Sequence, residues 1–169
     1  MKASLIIIGN EILSGRTQDK NLSYLANWLN EIGIQLTEVR VIRDEEDVIV
    51  ETVNHLRKTY DYVFTTGGIG PTHDDITSES IAKAFSVDLE INQGALSILK
   101  EYYKDGELTE ARMKMTKMPV GSELIENPVS RAPGFKMDNV FVLAGIPGIM
   151  QGMLAVSYTH LTLPTKASV

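Results

Sequence analysis

The feature that most constrains this chain is a strand that stops abruptly in a glycine-rich loop and restarts as a helix. Tyr62-Val63-Phe64 is a short apolar run that reads as a buried strand. It leads into Thr65-Thr66-Gly67-Gly68-Ile69-Gly70-Pro71-Thr72-His73-Asp74-Asp75-Ile76-Thr77, and Ser78 to Phe85 then reads as a helix. Glycine lets a backbone turn sharply and approach a ligand with no Cβ in the way. Free N–H groups at a helix N-terminus favour an anion, whereas two adjacent aspartates repel a bare phosphate. A phosphate held through a divalent cation reconciles the two, because hard cations take carboxylate and phosphate oxygens together. The alternative is a tight turn in which Asp75 or Thr77 is only an N-cap. The loop alone leaves both open.

The same strand-to-helix alternation recurs along the chain. Leu5 to Ile8 is a continuous apolar run ending at Gly9, which suits a strand buried on both faces of a parallel sheet. Asn10 to Lys20 is a polar connection containing Glu11. Asn21 is placed to cap a helix whose apolar face is Leu22, Leu25, Ala26, Leu29 and Ile32, ended by Gly33. Trp28 falls at the packing edge of that stripe. Ile34 to Ile42 alternates as a second strand, and Asp44 can cap a helix from Glu45 to Thr59 whose acidic first turn complements the helix dipole. His55 and Arg57 read as surface residues. Tyr62 to Thr66 is the third strand. This pattern predicts an α/β fold with a largely parallel sheet.

Beyond Phe85 the pattern loosens. Val87 to Ile91 is expected as an edge strand, Asn92 as the cap of a helix through Tyr103 broken at Asp105-Gly106, and Glu110 to Met118 as a further helix with a solvated basic face. Short strands are expected at Ser122 to Ile125 and Gly134 to Met137. Asp138-Asn139 has hairpin chemistry and leads into Val140 to Ala144. That strand ends in Gly145-Ile146-Pro147-Gly148, where Pro147 suits a first helical turn. The last stretch, 157–169, is Thr-rich and contains no acid. It reads as a non-native or truncated tail after a single domain at 1–156, and His160 is discounted as a ligand.

If the strong strands are parallel, Glu11, Asp44, the Asp74-Asp75 pair and the Gly145–Gly148 turn all lie at one carboxyl edge of the sheet. Open α/β sheets bind ligands in the crevice outside that edge. Acids meeting glycine turns there suggest a phosphorylated ligand with a divalent metal. Other classes fail on residues: no Lys-Ser/Thr ends the loop as in a P-loop, its glycines lack Gly-x-Gly-x-x-Gly spacing, and no Gly-x-Ser-x-Gly elbow occurs. A net charge of −6 argues against nonspecific nucleic-acid binding. Over 169 residues, 43% apolar content predicts a folded domain, and the absence of cysteine suits a cytoplasmic protein. No apolar stretch is long enough to span a membrane.

Four ordered blocks carry a resemblance. The 65–77 string resembles the signature of the molybdopterin-binding MoaB/Mog-like domain, and its Gly-Pro-Thr-His-Asp-Asp form resembles the competence/damage-inducible CinA branch. Gly9-Asn10-Glu11-Ile12-Leu13-Ser14-Gly15-Arg16, Asn127-Pro128-Val129-Ser130-Arg131-Ala132-Pro133-Gly134-Phe135 and Val142-Leu143-Ala144-Gly145-Ile146-Pro147-Gly148 are similar to other blocks of that branch. The resemblance implies a three-layer α/β/α sandwich. It implies functional acids at Asp44 and Asp75, with Gly67, Gly68 and Gly70 cradling phosphate, Thr72 or His73 contacting it, and Gly145, Pro147 and Gly148 at the ligand. A divalent metal (Mg, Co or Mn) would be held by Asp44 and Asp75 with Asp74 or Glu11. The implied activity is metal-dependent pyrophosphate cleavage of ADP-ribose-like nucleotides, with Asp44, Asp75 and His73 in catalytic roles. The alternatives are molybdopterin binding or adenylyl transfer, and a non-catalytic ligand-binding module. A homo-oligomer, dimer or trimer, is expected. The nicotinamide-mononucleotide deamidase domain that often accompanies this one in the family is not expected here.

Overall fold

The computed structural model describes residues 1–104 and 107–161. A six-stranded sheet in the order β2-β1-β3-β8-β7-β6 forms its centre. β1 (Lys2–Ile8), β2 (Gln35–Ile42), β3 (Tyr62–Thr66) and β8 (Val140–Leu143) run parallel, as the alternation predicted. β7 (Gly134–Met137) and β6 (Glu123–Ile125) extend the sheet in antiparallel pairs. The β7–β8 turn places Asp138 at φ 53, the left-handed conformation that Asp tolerates better than most residues.

Strand periodicity divides the core into two halves. Leu5 and Ile7 of β1, with Phe64 and Phe141, face α2 (Asn21–Glu31) and α7 (Pro147–Ser157). Ile6 and Ile8, with Val63 and Val142, face α3 (Glu46–Thr59) and α4 (Thr77–Ala84). The result is a helix–sheet–helix sandwich. Phe64 and Phe141 stack at 4.9 Å between neighbouring strands. Burying each such side chain stabilises the fold by about 1.5–3 kcal/mol. Trp28 packs partly buried against the first cluster, as expected, while Leu22 is 37% exposed and lies outside the helix's buried stripe.

Several local expectations are corrected. Within the polar 10–20 connection a short helix, α1 (Asn10–Leu13), forms. Asn21 does not cap α2, because Asp19 accepts the Leu22 N–H at 2.9 Å and frees Asn21 for another partner. Asp44 does not cap α3: the cap position is Glu45, with no side-chain bond, since Asp44 is engaged with Asn10. β4 (Leu89–Ile91) pairs outside the central sheet with β5 (Lys117–Pro119). The helix expected through Met118 is therefore only α6 (Glu110–Lys114). The pull of Met118 into the core (3% exposed), together with Pro119, favours strand over helix there. Asn92 does cap α5 (Gln93–Tyr102), accepting the Ala95 N–H at 3.0 Å. The expected break at Asp105-Gly106 lies outside the described residues. Ser157, assigned to the tail, is the buried last residue of α7. A 3-10 turn, Tyr158–His160, follows it, and there the His160 carbonyl accepts from Lys136. Among the described residues no helix is long and apolar enough to cross a membrane.

Candidate functional site

β1 lies between β2 and β3, and the helices that follow β1 and β2 pack on opposite faces. That makes the ends of β1 and β3 a topological switch point, where a parallel sheet leaves a crevice for ligands. The four junctions singled out from sequence do share this edge.

Gly67 is the pivot. Its φ is +99, and a Cβ there would lie 2.3 Å from the Ile8 carbonyl oxygen. Its N–H donates to Leu143 O at 3.1 Å, and a Cβ on Gly145 would come within 3.1 Å of the Gly67 Cα. Backbones from three strands therefore meet at distances only glycine permits. Gly68, at φ +76, is held by the start of α4: Thr77 N donates to its carbonyl at 2.9 Å, while Thr77 Oγ1 donates to Gly67 O at 2.9 Å.

The capping alternative fails for both candidates. Ile76 occupies the α4 cap position and no side chain bonds there. Thr77 ties the helix to the glycines. Asp75 Oδ2 instead accepts from Thr72 N at 2.9 Å and Thr72 Oγ1 at 2.8 Å, closing the loop on itself. Gly70 is small because this carboxylate lies against it, with Oδ2 2.8 Å from where a Cβ would sit. Thr72 is thus a support of Asp75, and its carbonyl in turn accepts a hydrogen bond from Lys114 of α6.

Asp44 is locked to the other junction. Asn10 N donates to Asp44 Oδ2, and Asp44 N donates to Asn10 Oδ1, each at 3.2 Å. The Glu11 carboxylate folds back over Gly9. Partial burial pushes the Asp44 carboxyl above its ordinary value, the Asn10 N–H opposes this, and the nearby charges of Glu11, Asp75 and Asp74 push it further up. Asp44 therefore feels the charges of the other acids across the strand ends, and that repulsion is the field a cation would relieve. Among the described residues no three His, Cys, Asp or Glu side chains stand close enough to hold a metal by themselves. The donor set still fits Mg²⁺, which takes one or two carboxylates and completes its shell with water and phosphate oxygens. His73 stands at the solvent-facing tip, 94% exposed, with Nε2 3.4 Å from Asp74 Oδ1.

Two cavities flank the loop. The smaller, about 60 Å³, is the switch-point crevice, bounded by Glu11, Asn21, Thr66, Gly67, Gly145 and Pro147. Asn21 Nδ2 donates to Gly145 O at 2.9 Å, but Asn21 Oδ1 and Thr66 Oγ1 are buried without a partner. The larger, about 620 Å³, lies between the loop and α6 and includes His73, Asp75, Met113 and Lys114. Gly148 lines neither and has open space where a Cβ would stand. Asn21, Thr66 and Lys114 were missed as site residues. Asn21 resembled a helix cap, Thr66 a strand terminus and Lys114 a solvated face. The polar pair Thr65-Thr66 closing an otherwise apolar strand was the available signal.

Comparison with known proteins follows the same lines. The family model described as "Probable molybdopterin binding domain" matches residues 4–162. A CinA-like protein of Sulfurihydrogenibium is 38% identical over 98% of this chain and 44% of its own length. The crystal structure of the protein CinA from Thermoplasma acidophilum, described as of unknown function, is 37% identical with a TM-score of 0.88, covering 95% of this chain and 98% of that one. The molybdopterin biosynthesis enzyme MoaB of Thermus thermophilus shares the fold at 15% identity and a TM-score of 0.62, over 95% of this chain and 91% of its own. The chain spans between 44% and 67% of the length of the first curated relatives it matches. On these matches, with the glycine–aspartate loop at the switch point, the chain belongs to the molybdopterin-binding domain family, in its CinA-like branch.

Proposed function

We propose that this domain binds a phosphorylated nucleotide together with a divalent metal and hydrolyses the pyrophosphate bond of ADP-ribose-like compounds. The observation that carries the reading is the convergence of Glu11, Asp44, Asp74 and Asp75 on one edge of strand ends, where glycines let the backbones of three strands meet closely. A bare diphosphate would be repelled by those carboxylates, and a metal–diphosphate would not. Asp44 and Asp75 are the residues for the metal, with Glu11 or Asp74 contributing through water. When bound, the metal would polarise the diphosphate and lower the pKa of a water.

The chain's own residues orient the ligand. Gly67, Gly68 and Gly70 let the loop pack tightly on Ile8, Thr77 and Asp75, and phosphate oxygens would meet the backbone of the loop so folded. Thr72 fixes one oxygen of Asp75 and leaves the other for the ligand complex. His73, solvent-facing and one residue from Thr72, can donate to a phosphate oxygen or exchange a proton with the leaving group. Hydrolysis adds water across the P–O–P bridge and gives AMP and ribose 5-phosphate from ADP-ribose. The test is incubation of purified protein with ADP-ribose and Mg²⁺, Co²⁺ or Mn²⁺. AMP release with at least one metal is expected, and folded protein that releases none with any of the three overturns the reading.

The family match supports a second reading, binding of a molybdopterin phosphate at the same glycine loop. Calorimetry with the pterin phosphate separates the two. Binding weakened by Gly68→Ala would favour the second, and failure to bind would remove it.

A further inference from the structure

A buried polar atom without a partner is rare in a folded protein, and each one calls for an explanation. Two such atoms belong to residues that line the switch-point crevice, which the metal–phosphate reading leaves without a role. Asn21 is 4% exposed and Thr66 2% exposed, and neither Asn21 Oδ1 nor Thr66 Oγ1 has a hydrogen-bond partner.

What the pair can take follows from what each side chain already does. The Asn21 amide nitrogen donates to Gly145 O at 2.9 Å, so the atom left over is its acceptor oxygen. Thr66 Oγ1 can donate or accept. A fully ionised phosphate offers only acceptors and leaves Asn21 Oδ1 unmet. A cation would meet both oxygens, and Glu11 and Asp19 on the crevice wall would favour one. The space of about 60 Å³, however, holds only one or two water-sized groups, so an ion would enter stripped of its hydration shell. Asp19 Oδ2 is already taken by the Leu22 N–H, and Lys20 on the same wall opposes positive charge. A hydroxyl is neutral, fits, and completes both atoms at once: its hydrogen goes to Asn21 Oδ1 and its oxygen accepts from Thr66 Oγ1. Glu11 and Gly67 border both this crevice and the acid edge, so a group seated here lies beside a phosphate held there.

We propose that Asn21 and Thr66 form a subsite for one hydroxyl of a sugar phosphate, with the sugar ring at the mouth of the crevice and the phosphate at the acid edge. The subsite rests on the metal–phosphate reading of that edge but concerns binding, so its test does not require turnover. Isothermal titration calorimetry of the full chain with Mg²⁺ compares ribose 5-phosphate with tetrahydrofurfuryl phosphate, which keeps the ring and the phosphate and carries no hydroxyl. A ligand that leaves buried polar atoms unmet is penalised, so the parent should bind ribose 5-phosphate about tenfold or more tighter than its hydroxyl-free counterpart. Thr66→Val should cut ribose 5-phosphate affinity about tenfold and leave tetrahydrofurfuryl phosphate unchanged, while Thr66→Ser retains the preference. Because Thr66 Oγ1 has no partner within the protein, Thr66→Val should also melt no lower than the parent, which separates lost binding from lost fold. Equal affinity of the parent for the two compounds, with water keeping the crevice in both complexes, overturns the proposal. So does a preference that survives Thr66→Val, or a parent that binds neither compound. ADP-ribose left uncleaved while the preference stands refutes the hydrolysis alone, and ADP-ribose cleaved without any such preference refutes this subsite alone.

Discussion

Gly67→Ala isolates the physical demand at the centre of the site. At φ +99 an alanine incurs left-handed strain of about 1–2 kcal/mol. Its Cβ would also sit 2.3 Å from the Ile8 carbonyl oxygen, a backbone atom of the central strand that no rotamer change can move. Overpacking of this kind costs about 1–3 kcal/mol, so the total is about 2–5 kcal/mol. For a domain of this size, each kcal/mol lowers the melting temperature by about 2–4 °C. Gly15→Ala is the control, because Gly15 has φ +76 but nothing within 4 Å of its Cβ position. It should lose only the strain, about 1–2 kcal/mol. Urea denaturation of the three proteins measures both costs. If Gly67→Ala is no less stable than Gly15→Ala, the close approach of β1 and β3 at the switch point is not what requires glycine there.

Three further expectations concern the surrounding residues. Because burial and neighbouring acids raise the Asp44 carboxyl above its ordinary 3.8, the folded state holds that proton more tightly than the unfolded chain. Stability should fall as pH rises from that value through the raised one. Asp44→Asn should therefore melt higher than the parent at neutral pH, with the gap closing toward acid, and equal melting temperatures at neutral pH would contradict this. Asn21→Ala removes the bond to Gly145 O and should cost about 0.5–1.5 kcal/mol by chemical denaturation; unchanged stability would show that the bond does not hold the Gly145 turn. Thr72→Val deletes the 2.8 Å hydroxyl bond to Asp75 at an exposed position. It should cost under about 1 kcal/mol of stability yet weaken Mg²⁺-dependent nucleotide binding several-fold in calorimetry, and unchanged binding would remove Thr72 as the support of Asp75.

The parallel core was legible in the sequence because β1, β3 and β8 are buried on both faces and so are written largely as apolar runs, with a glycine shortly after each. The shared edge of the acids followed from that. What the sequence concealed was pairing at a distance. Asp44 looks like a cap until Asn10, 34 residues away, is seen to take it in a reciprocal pair. Asn21 has the same disguise, since Asp19 does the capping two positions earlier. The helix expected over Glu110 to Met118 ends early because Lys117 and Met118 suit either element, and only the pairing of Lys117–Pro119 with Leu89–Ile91 decides it. Lys114 looks solvated for the same reason, until the loop it bonds is folded against it.

The direct test of a metal–phosphate site at this edge is Mn²⁺ binding, read by its paramagnetic resonance signal, with and without a non-hydrolysable ADP analogue. No three acidic or imidazole side chains among the described residues stand close enough to hold the ion by themselves, so in the proposed site phosphate oxygens join the carboxylates in its shell. The analogue should therefore tighten Mn²⁺ binding about tenfold or more, and Asp75→Asn should abolish the gain. Mn²⁺ affinity that is the same with and without the nucleotide would show that the acids and the glycine loop do not form one site.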